Sequence, residues 1–162
     1  MEHGVSGFLA NLFQLLERSG FGLLIRDAVL IYPIANVVHV LSALVFFASV
    51  AIMDLRVLGA LRADAGEAVI ARFRPVALGA FCALLASGIV LFTPEASAII
   101  KNPSFQIKLA LIAIGALNVI WLERALKRGY PGMTAHAARV PAALSLAVWL
   151  GVAAAGRYIA YI

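Results

Sequence analysis

Charged side chains are scarce in this 162-residue sequence, at 13% against 64% hydrophobic residues, and the mean hydropathy is +1.00. Too little polar surface remains to clothe a water-soluble globule, so the implied solvent is a lipid bilayer. Cysteine is nearly absent. Cys82 alone cannot build a disulfide framework, and with three scattered histidines it cannot complete a zinc cluster. The same apolar excess excludes disorder. There is no Walker motif, nucleophile triad, metalloprotease helix or nucleic-acid module. The net charge of +5 is therefore read as loops facing anionic headgroups, not as affinity for nucleic acid.

Long apolar runs are what the chain has in quantity. A spanning helix needs roughly 20 mostly apolar residues, and four runs qualify, at about 31–53, 75–92, 105–122 and 140–156. Asp54 and Arg56 close the first; Arg72, Arg74 and Pro75 precede the second, which stops before Thr93, Pro94 and Glu95. Asn102 and Pro103 precede the third, which ends at Glu123 and Arg124; Arg139 and Pro141 open the fourth, which stops before Arg157. Residues 1–29 form a leading segment of a different kind. In it Phe8, Leu9, Leu12, Phe13, Leu15 and Leu16 recur at helical spacing opposite Asn11, Gln14, Glu17 and Arg18, the pattern of an interfacial amphipathic helix. Ser19 and Gly20 interrupt it, and GFGLLIRDA, with Arg26 and Asp27, reads as a second short surface piece. Without a basic n-region or a small-residue cleavage site, this segment is not expected to be a signal peptide. The predicted fold class is all-α, a polytopic four-helix transmembrane bundle over 30–162 preceded by the amphipathic segment at 1–29.

Orientation follows from Lys and Arg in the short loops. Arg56, Arg62, Arg72 and Arg74 follow the first span, and Arg124, Lys127, Arg128 and Arg139 follow the third, whereas the loop on the other face holds Lys101. The basic loops are expected to face the cytoplasm and both termini the outer side. Tyr32, Tyr158 and Tyr161, with Trp121 and Tyr130 at the opposite level, are placed as interfacial belts. Gly79, Ala83 and Ser87 form one small-residue stripe and Ala147, Gly151 and Ala155 another, suited to sealing the second and fourth spans together or to joining copies in a homo-oligomer.

Chemistry in such a chain is expected where polar groups lie inside hydrocarbon. Asn36 and His39 share a face of the first span, continued roughly by Phe46, Val50 and Asp54; Lys108, Gly115 and Asn118 share a face of the third. At about 1.5 Å per residue, His39 lies roughly 12 Å and Lys108 some 5 to 6 Å below the outer edge, close enough to meet. Ser87, Ser145 and Trp149 reach a similar depth, giving a polar pocket in the outer half with Glu95 and Arg157 near its mouth. His136 lies at the inner level, too far to pair with His39. Plainer roles stand beside these: His39 as an interhelical hydrogen-bonding group, Lys108 snorkelling to headgroups, Asn118 as interhelical glue, Asp54 and Arg56 as a solvated helix-end pair, Cys82 as a small core residue.

The strings YPIANVVHVLSALVFFASVAIMDLRVLG, RPVALGAFCALLASGIVLF, NPSFQIKLALIAIGALN and SLAVWLGVAAAGRYIAY resemble a family of small bacterial inner-membrane proteins of uncharacterised function. The likeness covers nearly all of the chain after the amphipathic helix. It is carried by Pro33 with His39, by Asp54, Leu55 and Arg56 with Gly59, by Asn102, Pro103, Phe105 and Lys108, and by Gly156 with Arg157. That pattern often has an acidic residue where this sequence has Asn36. More remotely, the first-span histidine and the lysine opening the third are similar to HemJ-type protoporphyrinogen oxidases and to copper-resistance D membrane domains. The resemblance implies His39 as an axial ligand of haem b and Lys108 as a propionate or substrate partner.

The expected function is that of an inner-membrane protein with haem b or a related redox site at His39, exchanging electrons with quinone or with a membrane or periplasmic partner protein. Asn36, Ser87, Lys108 and Trp149 complete the expected site, with His39 as its metal ligand. The alternative is a non-enzymatic module, a copper or small-molecule permeation component or a structural subunit. Copper handling calls for soft ligands, and Cys82, Met1, Met53 and Met133 are dispersed.

Overall fold

The computed structural model describes residues 11–61, 66–127 and 135–159, the side chains of 66–67, 122–123, 125–127, 135–137 and 158–159 excepted. All regular structure in them is helical. Residues 11–17 form α1, followed by α2 (Gly20–Asp27), α3 (Ile31–Leu58), α4 (Gly66–Phe92), a 3-10 turn (Thr93–Glu95), α5 (Ala96–Ile99), α6 (Pro103–Lys127) and α7 (Ala135–Ile159). Four stretches are long and apolar enough to cross a membrane: Ile31–Leu58, Ala68–Ile99, Pro103–Trp121 and Ala138–Arg157, with mean hydropathies of 2.1, 2.3, 1.6 and 1.6. The chain is a multi-pass membrane protein.

Helix ends follow the local sequence. Asn102 caps α6, its Oδ1 accepting from the Ser104 amide at 2.9 Å, with Pro103 in the first helical position, where a missing N–H leaves nothing unpaired. Gly59 ends α3 at φ 82°, a left-handed residue whose N–H bonds back to Arg56 while Ala60 bonds to Leu55. The helices run past the expected spans, because Pro75 and Pro141 lie inside α4 and α7 instead of opening them. A proline that breaks a soluble helix is tolerated where lipid makes any other backbone arrangement costlier.

The leading segment docks onto the end of the bundle where α4 gives way to α6. Ser19 Oγ donates to the Leu16 carbonyl at 2.6 Å and accepts from the Gly22 amide at 3.1 Å, turning α1 into α2. A side chain at Gly22 would collide with the Glu17 carbonyl, so this close turn requires glycine. Arg26 Nη2 donates to the Pro94 carbonyl at 2.7 Å, Ser97 donates to Glu17 Oε1 through its amide and its hydroxyl, each at 2.7 Å, and Phe13 meets Phe92 edge-on at 5.8 Å. Those two Ser97 hydrogen bonds, backbone first, hold the Glu17 carboxyl below the usual carboxylate range.

Packing among the spans forms an arc. α3 pairs most extensively with α4, α6 pairs with α7, and α3 also packs on α7, while α4 and α6 make no comparable seam. Phe46, Val50, Ala77, Ala80 and Trp149 form the core. The two small-residue stripes therefore do not seal α4 to α7. Gly151 faces α6, where a Cβ would stand 3.2 Å from Leu111 Cδ1; Gly79 has no neighbour within 4 Å; α4 meets α7 through the rings of Phe81 and Trp149, 6.1 Å apart. Cys82 is exposed and not part of the core. Tyr32 and Trp121 face outward at 48% and 57% exposure, as a belt requires; Tyr130, Tyr158 and Tyr161 lie outside the described side chains.

Candidate functional site

Three of the five expected site residues come together in the half of the bundle nearer the leading segment. His39 Nδ1 lies 2.9 Å from Ser87 Oγ, and that hydroxyl is itself 2.6 Å from the Ala83 carbonyl. With the serine proton engaged by Ala83, the arrangement favours Nδ1 as the donor to Ser87. The other ring nitrogen, Nε2, is thereby left with its lone pair. Gly88 makes room for the ring, because a Cβ there would stand 3.4 Å from His39 Cε1. Lys108 lays its stem along α7, with Nζ and Cε 3.4 and 3.6 Å from where a Gly156 side chain would begin, and its charge acts electrostatically on His39. Two glycines thus admit the two ionisable side chains.

Asn36 and Trp149 do not join them. Asn36 is exposed on α3, one helical turn above His39 but turned away from the bundle. Trp149 lies deeper, its ring 4.6 Å from that of Phe46. Asn118 donates to the Pro141 carbonyl at 2.9 Å, the interhelical glue expected of it. His3 lies outside the described residues, as does the His136 side chain. No group of three or more His, Cys, Asp or Glu converges as metal ligands among the described residues.

A second locus was not expected from the sequence. A cavity of about 600 Å³ lies toward the end of the bundle away from the leading segment, lined by α3, α4, α6 and α7, and His39 is not in its wall. Asp54 faces it and is 7% exposed, so it is not a solvated partner of Arg56, whose guanidinium instead donates to the Leu61 carbonyl at 2.6 Å. Asp54 Oδ2 and Trp149 Nε1 are both buried without a hydrogen-bond partner, a condition that costs about 1–3 kcal/mol for each group. The signal was present in the sequence, since Phe46, Val50 and Asp54 recur at every fourth position and turn Asp54 inward with the two apolar residues.

Four membrane-length helices with two ionisable groups in one half and an aromatic-walled cavity in the other define a polytopic membrane protein with polar sites inside the bundle. By sequence the chain belongs to the DUF6644 family, a family of unknown function, whose profile matches residues 12–162. The match begins in α1, so the docked leading segment is part of the family's shared unit. No curated protein and no solved structure matches the chain.

Proposed function

We propose that this is a bacterial inner-membrane redox protein, both termini on the outer side, in which His39 is an axial ligand of haem b. It exchanges electrons with quinone or a partner protein. The observation that carries this reading is the Ser87 hydrogen bond, which favours Nδ1 as the donor and so gives Nε2 a lone pair suited to iron. Lys108 fits the same group: half-buried and without an ion-pair partner among the described residues, it suits a propionate carboxylate. Haem b would supply one-electron chemistry there, and His39 and Lys108 would hold it. The remote resemblance to HemJ-type and copper-resistance D domains points the same way. The test is a Soret band in protein purified from a haem-sufficient host, abolished by His39→Ala and weakened by Lys108→Ala. Colourless, folded protein would overturn the reading. The second reading, a non-enzymatic module that takes up a small molecule, is favoured by the cavity's separation from His39.

A further inference from the structure

The cavity between α3, α4, α6 and α7 has the properties of a binding site in its own right. Asp54 Oδ2, an acceptor, and Trp149 Nε1, a donor, belong to its lining, and both are buried without partners on residues 7% and 5% exposed. A protein keeps two such atoms in one cavity at a loss of stability unless an occupant satisfies them. Their chemistry asks for a molecule that donates at one point and accepts at another. The net charge of that molecule is also constrained. Asp54 disfavours an anion, and Arg74, in the same wall, disfavours a cation, leaving a neutral ligand.

Access and shape narrow the class. Because α4 and α6 are not seamed together, the cavity's α4 and α6 walls stand apart toward the bilayer, and an occupant enters from lipid. Phe46, Phe81 and Trp149 supply ring faces and edges for a flat aromatic guest. Ser145, beside Asp54, lies one helical turn from Trp149 on α7, so the two positions stand about 6 Å apart along the helix axis. Oxygens at opposite ends of a single six-membered ring span such an interval.

We propose that this cavity binds a lipid-soluble phenol or quinol, whose hydroxyl donates to Asp54 Oδ2 and whose opposite oxygen accepts from the Trp149 indole N–H. The site deepens the redox reading by locating its lipid-soluble partner, yet it stands without haem, and its test reads binding alone.

The probe is 4-(hexyloxy)phenol, compared with hexyloxybenzene, which lacks only the hydroxyl. The full chain in detergent micelles carries Trp121→Phe, so that Trp149 is the one remaining tryptophan of two. The phenol should shift Trp149 emission saturably, at a concentration about tenfold below that needed for hexyloxybenzene, the factor one charge-assisted hydrogen bond confers. Asp54→Leu should remove that preference. Ala77→Phe, which fills the cavity from α4 and keeps Asp54, should abolish the saturable response and serves if the Asp54 variant does not fold. Equal responses to the two probes, or a preference unchanged in Asp54→Leu, would overturn the proposal. So would the lack of any saturable response, whether lipid or a second copy fills the gap, the latter seen as a dimer by light scattering. A Soret band on the same preparations reports His39 separately, and both cavity variants should leave it unchanged.

Discussion

Glu17 and Ser87 are the side chains whose replacement reads most directly on the local geometry. Glu17 titrates below the ordinary carboxylate range because it accepts twice from Ser97. A depressed folded pKa means a contribution fully present above the unfolded value of about 4.3 and lost as pH falls through the folded one. The melting temperature of Glu17→Ala should accordingly lie below that of the parent at pH 7, with the gap closing as the pH is lowered through the acid range. Ser87→Ala frees the His39 ring; under the haem reading it should retain the Soret band but weaken haem retention about 10- to 100-fold, measured by transfer to apomyoglobin. The placement of His39 and Lys108 among the helices was legible because an ionisable group in an apolar run stands out against its surroundings. The Ser87 partnership was legible only as a matter of depth. Asn36 and Trp149 were misplaced for the same reason: depth along an axis says nothing about rotation around it, and rotation turns Asn36 outward and sends Trp149 to the other cavity.

Glycines in the helices divide by what faces them. Gly115 lies under Trp149, where a Cβ would stand 2.8 Å from Cζ2, whereas Gly79 faces open space. Gly115→Leu should therefore lower the detergent melting temperature, with a penalty of about 1–3 kcal/mol for overpacking, and Gly79→Leu should leave it nearly unchanged. Equal effects would mean that the α6–α7 contact is not as close as described. The number of spanning elements was legible because 20 apolar residues have few alternatives to a membrane helix. Their bounds were not, since Pro75 and Pro141 are stop signals in water and ordinary interior residues here. Which helices pair was beyond small-residue spacing alone: Gly79 and Gly151 share the same pattern, and only Gly151 has a neighbour.

For the molecule as a whole, the loop charges make orientation testable. In a Cys82→Ser background, Lys101→Cys should react with an impermeant thiol reagent from outside, and Asp64→Cys and Lys127→Cys only after the membrane is opened. The reverse pattern would invert the molecule and bring the Asp54 cavity to the outer leaflet. The leading segment is not an accessory to this assembly. It grips the Thr93–Ile99 connection between the two helical hairpins at Pro94 and Ser97, so its loss should loosen that end of the bundle first.

The stack of Phe92 on Phe105, with centroids 5.3 Å apart and planes 6° from parallel, sits where α4 ends and α6 begins. It makes the two helices the arms of a peg, pinned at the end that the leading segment covers and without a comparable seam below. Phe92→Ala removes the pin, so the arms should part more readily, read as a lower melting temperature in detergent.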